Sequence, residues 1–106
     1  MEERVIEEKL NGSSPLLNFL QRPRAIISIL YLYYSKNKGL DEILESIGGS
    51  KRTEMARLNE LIKLNLATKF KASDTRKTFY ELSDNGKTIA LLLEQIVDRW
   101  IISNKL

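Results

Sequence analysis

The chain has 106 residues, of which 42% are hydrophobic and 29% charged, and a net charge of +3; this is the composition of one globular domain. It contains no Cys and no His, so it lacks disulfides, the commonest general acid/base, the commonest metal ligand and the best nucleophile. We therefore expect a protein that is not an enzyme and that binds neither a cofactor nor a metal.

The sequence has no segment with the length and apolarity of a membrane span or a secretion signal. Its longest apolar run, from Ala25 to Tyr34, is interrupted by Ser28 and is shorter than the roughly 20 residues of a spanning helix. The first ten residues, MEERVIEEKL, lack the basic start and apolar core of a signal peptide. We therefore expect a cytoplasmic protein without a membrane partner.

The N-terminal residues are predicted to form a short charged helix and a linker. Only three of residues 2–10 are apolar, and NGSS at 11–14 is a typical turn sequence. Ser14 followed by Pro15 is typical of an N-cap and a first-turn proline, which begins a second helix, PLLNFLQ. The predicted organisation is a charged helix and linker over 1–14, a core domain over 15–83 and a C-terminal helix over 84–106.

The next two helices are separated by a glycine stop. Residues 24–34, RAIISILYLYY, are apolar nearly all round, which predicts the buried central helix of the fold. Gly39 ends this segment, and the amphipathic stretch 40–47, LDEILESI, predicts a helix of two turns. Gly48 and Gly49 then predict a sharp turn.

The helix predicted over residues 50–64 has one apolar and one polar face. Ser50 is its predicted N-cap, and Asn65 is predicted to adopt a left-handed conformation after its end. At 100° per residue the apolar arc consists of Met55, Leu58, Leu61 and Ile62, and the opposite face of Arg52, Ala56, Asn59 and Lys63, with Thr53 beside them. Two interpretations are open: a core helix with a charged outer side, or a helix whose basic end enters a negatively charged partner.

After this helix the periodicity changes from helical to alternating. Polar and apolar residues alternate from Thr68 to Ser73, DTRK at 74–77 predicts a turn, and Phe79 and Tyr80 follow. This pattern predicts a β-hairpin whose tip carries four cations, Lys69, Lys71, Arg76 and Lys77.

The last helix, capped by Ser83, is apolar over about half of its circumference. A domain of this size rarely needs so much apolar helix surface at its end, and such a surface, if exposed, favours association. We therefore predict a homodimer; the alternative is that the helix wraps the core of its own chain. The predicted dimerisation residues are Ile89, Leu92, Leu93, Ile96, Val97, Trp100 and Ile101.

Positive charge is concentrated in one third of the chain. Residues 51–80 contain eight Lys and Arg against three Asp and Glu, a net +5, which leaves −2 for the remainder because the total is +3. Such asymmetry indicates a surface that faces a polyanion, although a solvated basic flank would show the same pattern.

Three stretches, in this order, resemble the winged helix-turn-helix DNA-binding regulators of prokaryotes, of the MarR, ArsR, PadR and HxlR types. LLNFLQRPRAIISILYLYY resembles the first helices of the ArsR type, and LDEILESIGGSKRTEMARLNELIKLNLA resembles their helix-turn-helix. FYELSDNGKTIALLLEQIVDRW is similar to the wing exit and final helix of HxlR and PadR proteins. The resemblance covers residues 15–101 and implies a mainly α fold with a small β-hairpin wing. A small standalone chain of this kind would suit an archaeon or one of its viruses or plasmids.

The resemblance implies double-stranded DNA as the partner and the helix over 50–64 as the recognition helix in the major groove. Arg52 would contact a base edge, with Thr53, Ala56 and Asn59 as the next layer. Phosphate contacts would come from Lys51, Arg57 and Lys63, while the wing, residues 68–80, would place its cations Lys69, Lys71, Arg76 and Lys77 on the backbone or in the adjacent minor groove.

The sequence departs from these families at several positions. Glu54 stands where an aliphatic residue is usual, and Asn65 stands where glycine is usual. The cysteine of HxlR proteins and the cysteines and histidines of metal-sensing ArsR proteins are absent, so we expect neither a redox nor a metal sensor. Two alternatives stay open: a winged helix that binds another protein within a larger assembly, and an architectural DNA binder without sequence preference.

Overall fold

The computed structural model describes residues 2–72, 74 and 76–105, and within them five helices pack around the base of a small sheet. The helices are α1 (Glu3–Leu20), α2 (Ala25–Tyr34), α3 (Leu40–Ile47), α4 (Lys51–Lys63) and α5 (Asp84–Lys105). The strands are β1 (Lys38–Gly39), β2 (Ala67–Lys71) and β3 (Thr78–Leu82). The predicted fold class, mainly α with a small β-hairpin wing, is confirmed.

α1 is one continuous helix, so the prediction of a linker at residues 11–14 is wrong. Pro15 has no N–H to donate to the carbonyl oxygen of Asn11, and a proline inside a helix normally ends or kinks it. The hydroxyl of Ser14 donates to that carbonyl oxygen instead, at 3.2 Å. A local side-chain hydrogen bond thus replaces the missing backbone one, and the predicted boundary after residue 14 lies inside α1.

α2 is buried on one face rather than nearly all round, so that prediction is wrong for the single chain. Ile26 and Ile27 are 40% and 41% exposed. The side of α2 that faces the core consists of Ala25, Ser28, Ile29 and Leu32. The apolar residues on the other side remain available for contacts outside the described chain.

The sheet has three antiparallel strands in the order β1-β3-β2, and the sequence pattern predicted only the last two. β1 is a two-residue strand that pairs with β3, with Lys38 opposite Tyr80 and Gly39 opposite Phe79. Such a short strand leaves no periodicity to detect. The predicted hairpin of β2 and β3 is confirmed, although its DTRK turn includes Thr75, which lies outside the described residues, as does Ser73.

The predicted turn and capping residues around α4 are confirmed. Gly48 and Gly49 have φ angles of 71° and 92°, in the region that glycine adopts without steric cost. The backbone N–H of Thr53 donates to the Ser50 hydroxyl at 3.1 Å, and Asn65 has a φ of 60°. At the start of α5 the backbone N–H of Gly86 donates to the hydroxyl of Ser83 at 3.1 Å, which confirms that N-cap as well.

The single chain is elongated, measuring 55 × 36 × 24 Å with a radius of gyration of 15.7 Å. A compact domain of this length has a radius of gyration of about 13 Å. The core lies between α2, α3, α4 and the sheet, and its fully buried large side chains include Ile29, Ile43, Leu58 and Leu61. The N-terminal part of α1 and the C-terminal part of α5 extend beyond this core, which explains the elongation.

Candidate nucleic-acid interface

The outward side of α4 carries most of the predicted contact residues. Lys51, Arg52, Asn59 and Lys63 are exposed, whereas Thr53 and Ala56 are half-buried. The Thr53 hydroxyl also accepts a hydrogen bond from the Ser50 hydroxyl at 2.9 Å. The exposed basic residues at the start of α4 therefore stand on a helix end whose geometry is set by its N-cap.

The buried side of α4 differs from the predicted apolar arc. It consists of Glu54, Arg57, Leu58 and Leu61, and Met55 is 37% exposed. The prediction of Met55 as a core residue is wrong because Glu54 and Arg57, two charged residues, take positions on the buried face. Their burial requires charge partners inside the protein.

Arg57 is 9% exposed, so its position does not support the predicted phosphate contact. Its Nη1 atom lies 3.1 Å from Oε1 of Glu60, and the Nε atom of Arg22 lies 2.7 Å from the other carboxylate oxygen. Glu60 thus bridges two guanidinium groups and links α4 to the connection between α1 and α2. Arg57 serves this network within the protein.

The two faces of the wing carry different chemistry. Lys69 pairs with Tyr80 and Lys71 with Thr78, so these lysines share the face on which Tyr80 is buried against the helices. The opposite face carries the pair Phe70 and Phe79, whose ring centroids lie 5.8 Å apart. The wing lysines therefore lie on the side of the sheet that faces α4.

A groove of about 250 Å³ separates the wing from the start of α4. Lys51 and Met55 line it from α4, and Lys77, Thr78 and Tyr80 line it from the wing. The Tyr80 hydroxyl lies 4.0 Å from the sulfur of Met55 at its base, and burial raises the pKa of that hydroxyl above its ordinary value. Basic residues from α4 and from the wing thus lie on one surface.

Glu42, which was not predicted as a functional residue, connects the wing to α3. Its carboxylate lies 3.6 Å from the ammonium of Lys77 and 3.8 Å from that of Lys38, and it accepts a hydrogen bond from the backbone N–H of Gly39 at 3.3 Å. Arg76, the other cation at this end of the hairpin, is exposed. Glu42 therefore places a negative charge beside the predicted DNA-binding surface.

Arg24 was not predicted as a functional residue either; its guanidinium lies between α2 and the turn that precedes α4. Its Nη2 atom donates to the carbonyl oxygens of Ile47 and Gly48, at 2.5 Å and 3.0 Å. Glu54, which is completely buried, accepts a hydrogen bond from the Ser28 hydroxyl at 2.6 Å. A carboxylate on a predicted core face was the available signal, because a buried charge requires a partner.

The C-terminal half of α5 exposes most of the predicted dimerisation residues. Ile96 and Trp100 are 65% and 68% exposed, and Leu92, Val97 and Ile101 are also exposed. Ile89 and Leu93 instead pack against the core of their own chain. The two alternatives drawn from the sequence therefore apply to different parts of the helix: its start covers the core, and its end presents an unpartnered apolar surface.

In the described ranges, 2–72, 74 and 76–105, no helix combines the length and apolarity of a bilayer span. α3, the glycine turn and α4 form a helix-turn-helix, and the hairpin beside α4 forms a wing. The chain is therefore a winged helix-turn-helix protein by fold.

Comparison with solved structures confirms this fold. A protein described as a possible HxlR family transcriptional factor from Thermoplasma volcanium superposes with a TM-score of 0.73 and 20% identity, over 86% of this chain and 83% of that one. The transcriptional repressor BigR from Xylella fastidiosa gives 0.71 and 19%, over 90% and 92% of the two chains. MepR from Staphylococcus aureus in complex with DNA gives 0.69 and 19%, over 96% and 86%.

Sequence comparison adds no closer relationship. No protein-family model matches the chain, and no curated protein matches it. Three stretches of the sequence indicated a similarity to regulators of the HxlR and MarR types. This similarity is thus one of fold.

Proposed function

We propose that this chain is a double-stranded DNA-binding protein that regulates transcription. The observation that carries the proposal is the single basic surface formed by two elements: Lys51 and Arg52 at the start of α4, and Lys69, Lys71 and Arg76 on the wing. A polyanion that contacts this surface would touch a helix and a hairpin at once, as a duplex does with its groove and its backbone. Two fold neighbours, a transcriptional repressor and a protein in complex with DNA, support the same function.

In the proposed complex, α4 lies in the major groove with its N-terminal turns toward the bases. Arg52 contacts a base edge, because a guanidinium can donate to both acceptors of guanine. Asn59 and the smaller Thr53 and Ala56 form the next layer of the interface. Lys51 and Lys63 neutralise phosphates, which sets position without reading sequence.

The wing follows the DNA backbone or enters the adjacent minor groove. Lys69, Lys71 and Arg76 supply its charge directly, and Lys77 does so in competition with Glu42. Arg57 is left out of the proposed surface because it is buried against Glu60.

Two copies of the chain are proposed to associate through the exposed end of α5. The elongated shape of the single chain and the exposure of Ile96 and Trp100 support this arrangement. A homodimer with two-fold symmetry would read two half-sites about one helical turn apart, which gives an inverted-repeat operator. Repression by blocking a promoter is the simplest consequence of such binding.

A second candidate is a winged helix that binds a protein partner. It rests on Met55 and the aromatic pair Phe70 and Phe79, which present partly exposed apolar surface on and beside the wing. The basic surface distinguishes the two candidates, because phosphate neutralisation by lysines makes binding steeply dependent on salt.

The test is fluorescence-anisotropy titration of a random-sequence duplex at several salt concentrations. The Lys69→Ala/Lys71→Ala variant removes two wing cations from the proposed surface. The matched control, Lys36→Ala/Lys87→Ala, removes two cations that lie beside Glu81 on the other side of the sheet.

For the wild type and the control we expect log K to fall steeply with log salt. The slope for the wing variant should be shallower by about 2, since each phosphate contact contributes roughly 0.9. Absence of duplex binding at about 50 mM salt, where electrostatic affinity is generous, would refute the proposed function. Equal slopes for the wing variant and the control would show that the wing face is not the DNA surface.

Operator selection from a random duplex pool then separates a regulator from an architectural binder. A regulator enriches one inverted repeat, and Arg52→Ala relaxes the preference at one base pair of each half-site. An architectural protein enriches no sequence.

A further inference from the structure

We infer that Arg24 is the positioning residue of the helix-turn-helix: it sets the orientation of α4 relative to α3, and DNA affinity depends on it although it need not contact DNA. This inference rests on the proposed function and adds to it a residue outside the proposed surface. Three separate observations support it, which concern the backbone of the turn, the first turn of α4 and the space left by a glycine.

The first observation is that one guanidinium holds the backbone at the end of α3. The Nη2 atom of Arg24 donates to the carbonyl oxygens of Ile47, the last residue of α3, and Gly48, the first residue of the turn. Carbonyl groups at a helix C-terminus lack intrahelical partners. A charged donor there satisfies them and complements the negative end of the helix dipole.

The second observation is that the same guanidinium faces the first turn of α4. Its Nε atom lies 3.9 Å from Oε1 of Glu54, whose side chain is fully buried. The other carboxylate oxygen accepts a hydrogen bond from the Ser28 hydroxyl of α2. Glu54 is three residues after Lys51 and two after Arg52, so the pair fixes the helical turn that carries the proposed DNA contacts.

The third observation is that the backbone conformation at Arg24 and at the glycine turn leaves space for this side chain. Arg24 itself has a φ of 69°, a left-handed conformation that is uncommon for residues other than glycine and asparagine. A Cβ atom on Gly49 would lie 2.7 Å from the Nε atom of Arg24. The turn therefore leaves room for the guanidinium, and three elements, α2, α3 and α4, meet at one side chain.

A double variant separates positioning from stability. Arg24→Met alone leaves the Glu54 carboxylate buried without its charge partner, and it destabilises the fold whatever else Arg24 does. Arg24→Met/Glu54→Leu removes both charges. The Ser28 hydroxyl can still donate to the backbone carbonyl oxygen of residue 24, which lies 2.8 Å away in the wild type. The matched control is Arg4→Met/Glu8→Leu, which also removes one cation and one anion, but from an exposed ion pair of α1.

The measurements are affinities for a duplex selected by the wild type and for a random duplex, together with thermal unfolding and amide hydrogen exchange. For the double variant we expect an unfolding temperature near that of the wild type and faster exchange over residues 47–53. Its affinity for the selected duplex should fall about tenfold, the scale of one lost base contact, with a smaller change on the random duplex. The Arg4→Met/Glu8→Leu control should alter the affinity for both duplexes equally and only slightly.

The inference is overturned if the double variant keeps the wild-type ratio of selected to random affinity, or if exchange over residues 47–53 does not change. Equal loss for the double variant and Arg4→Met/Glu8→Leu would assign the effect to the loss of any ion pair and overturn the inference as well. If the wild type binds neither duplex, the proposed function fails; the exchange measurement then still decides whether Arg24 holds the turn.

Discussion

The ammonium of Lys77 in the wing lies 3.6 Å from a carboxylate oxygen of Glu42 in the first turn of α3. The same carboxylate lies 3.8 Å from the ammonium of Lys38 and accepts a hydrogen bond from the backbone N–H of Gly39. Glu42 thus caps α3 and reduces the positive potential of the proposed DNA-binding surface. In the complex, DNA phosphates would compete with Glu42 for Lys77.

Glu42→Gln is therefore expected to strengthen DNA binding. The amide oxygen can still accept from Gly39, so the cap is retained, whereas the negative charge beside Lys38 and Lys77 is lost. A partly exposed ion pair is worth up to about 1 kcal/mol, which corresponds to an affinity gain of about twofold to fivefold. Fluorescence anisotropy with a random duplex measures the gain.

The matched control for this change is Glu45→Gln, which removes the same charge from the exposed side of the same helix. Its effect on affinity should be smaller, because Glu45 is not paired with the wing. An unchanged or weakened affinity for Glu42→Gln would contradict the competition between Glu42 and phosphate.

Ile96→Glu is expected to convert the proposed homodimer to a monomer. Ile96 is 65% exposed in the single chain, so a carboxylate there has little effect on folding of the monomer but would be buried without a partner in the dimer. Sedimentation velocity should show one species of half the wild-type mass. Gln95→Glu, which adds the same charge at an exposed position of α5 that is not among the predicted dimerisation residues, should leave the mass unchanged. A monomeric wild type would refute the dimer itself.

Tyr80 is expected to make the folded state less stable at alkaline pH. Burial raises the pKa of its hydroxyl above 10.0, so the folded state keeps a proton that the unfolded state releases. The resulting stabilisation is complete below pH 10.0 and is lost as the pH rises through the folded-state pKa. Urea unfolding at about pH 9 and about pH 11 should show a smaller decline for Tyr80→Phe than for the wild type.

Tyr34→Phe serves as the control for this pH dependence, because Tyr34 is 72% exposed. Its decline between the two pH values should equal that of the wild type. If Tyr80→Phe declines as steeply as the wild type, the Tyr80 hydroxyl does not ionise differently in the two states.

Gly86→Ala is expected to disrupt the junction between the wing and α5. A Cβ atom at this position would overlap the carbonyl oxygen of Leu66, which accepts a hydrogen bond from the backbone N–H of Ser83 at the base of the hairpin. Backbone must move to relieve the overlap, at an expected cost of about 3 kcal/mol in the free energy of unfolding. Urea unfolding followed by circular dichroism measures the loss.

Gly12→Ala is expected to raise the free energy of unfolding in the same assay. Gly12 lies within α1, and a Cβ atom there has nothing within 4 Å. Alanine in a helix interior is more favourable than glycine by about 1 kcal/mol, so this variant should gain helicity. A neutral Gly86→Ala variant would show that the base of the hairpin tolerates displacement.

Much of the fold was predictable because its signals are local. The glycine pair before α4, the N-caps Ser50 and Ser83 and the left-handed Asn65 are each determined by the backbone chemistry of one or a few residues. Alternation of polar and apolar residues located the hairpin, and the concentration of cations in residues 51–80 located the basic surface.

Other features could not be predicted because they depend on residues distant in sequence. The burial of Arg57 follows from Glu60 and Arg22 meeting at one point, and the role of Glu54 depends on Ser28 and Arg24 in another helix. The two-residue strand β1 exists only because β3 lies beside it. In α1 a local effect was missed: the Ser14 hydroxyl bonds the Asn11 carbonyl that Pro15 cannot.

By itself, then, the sequence determined helices α2 to α5, the hairpin of β2 and β3, where α4 begins and which third of the chain is basic, since these follow from periodicity, capping and charge along the chain. Only the tertiary structure decided which side of α4 faces out, which cations are free and which carboxylates oppose them. The physical reason is that burial and charge pairing depend on distances across the core. Those distances made Arg24 and Glu42, which no motif marks, neighbours of the proposed DNA-binding surface.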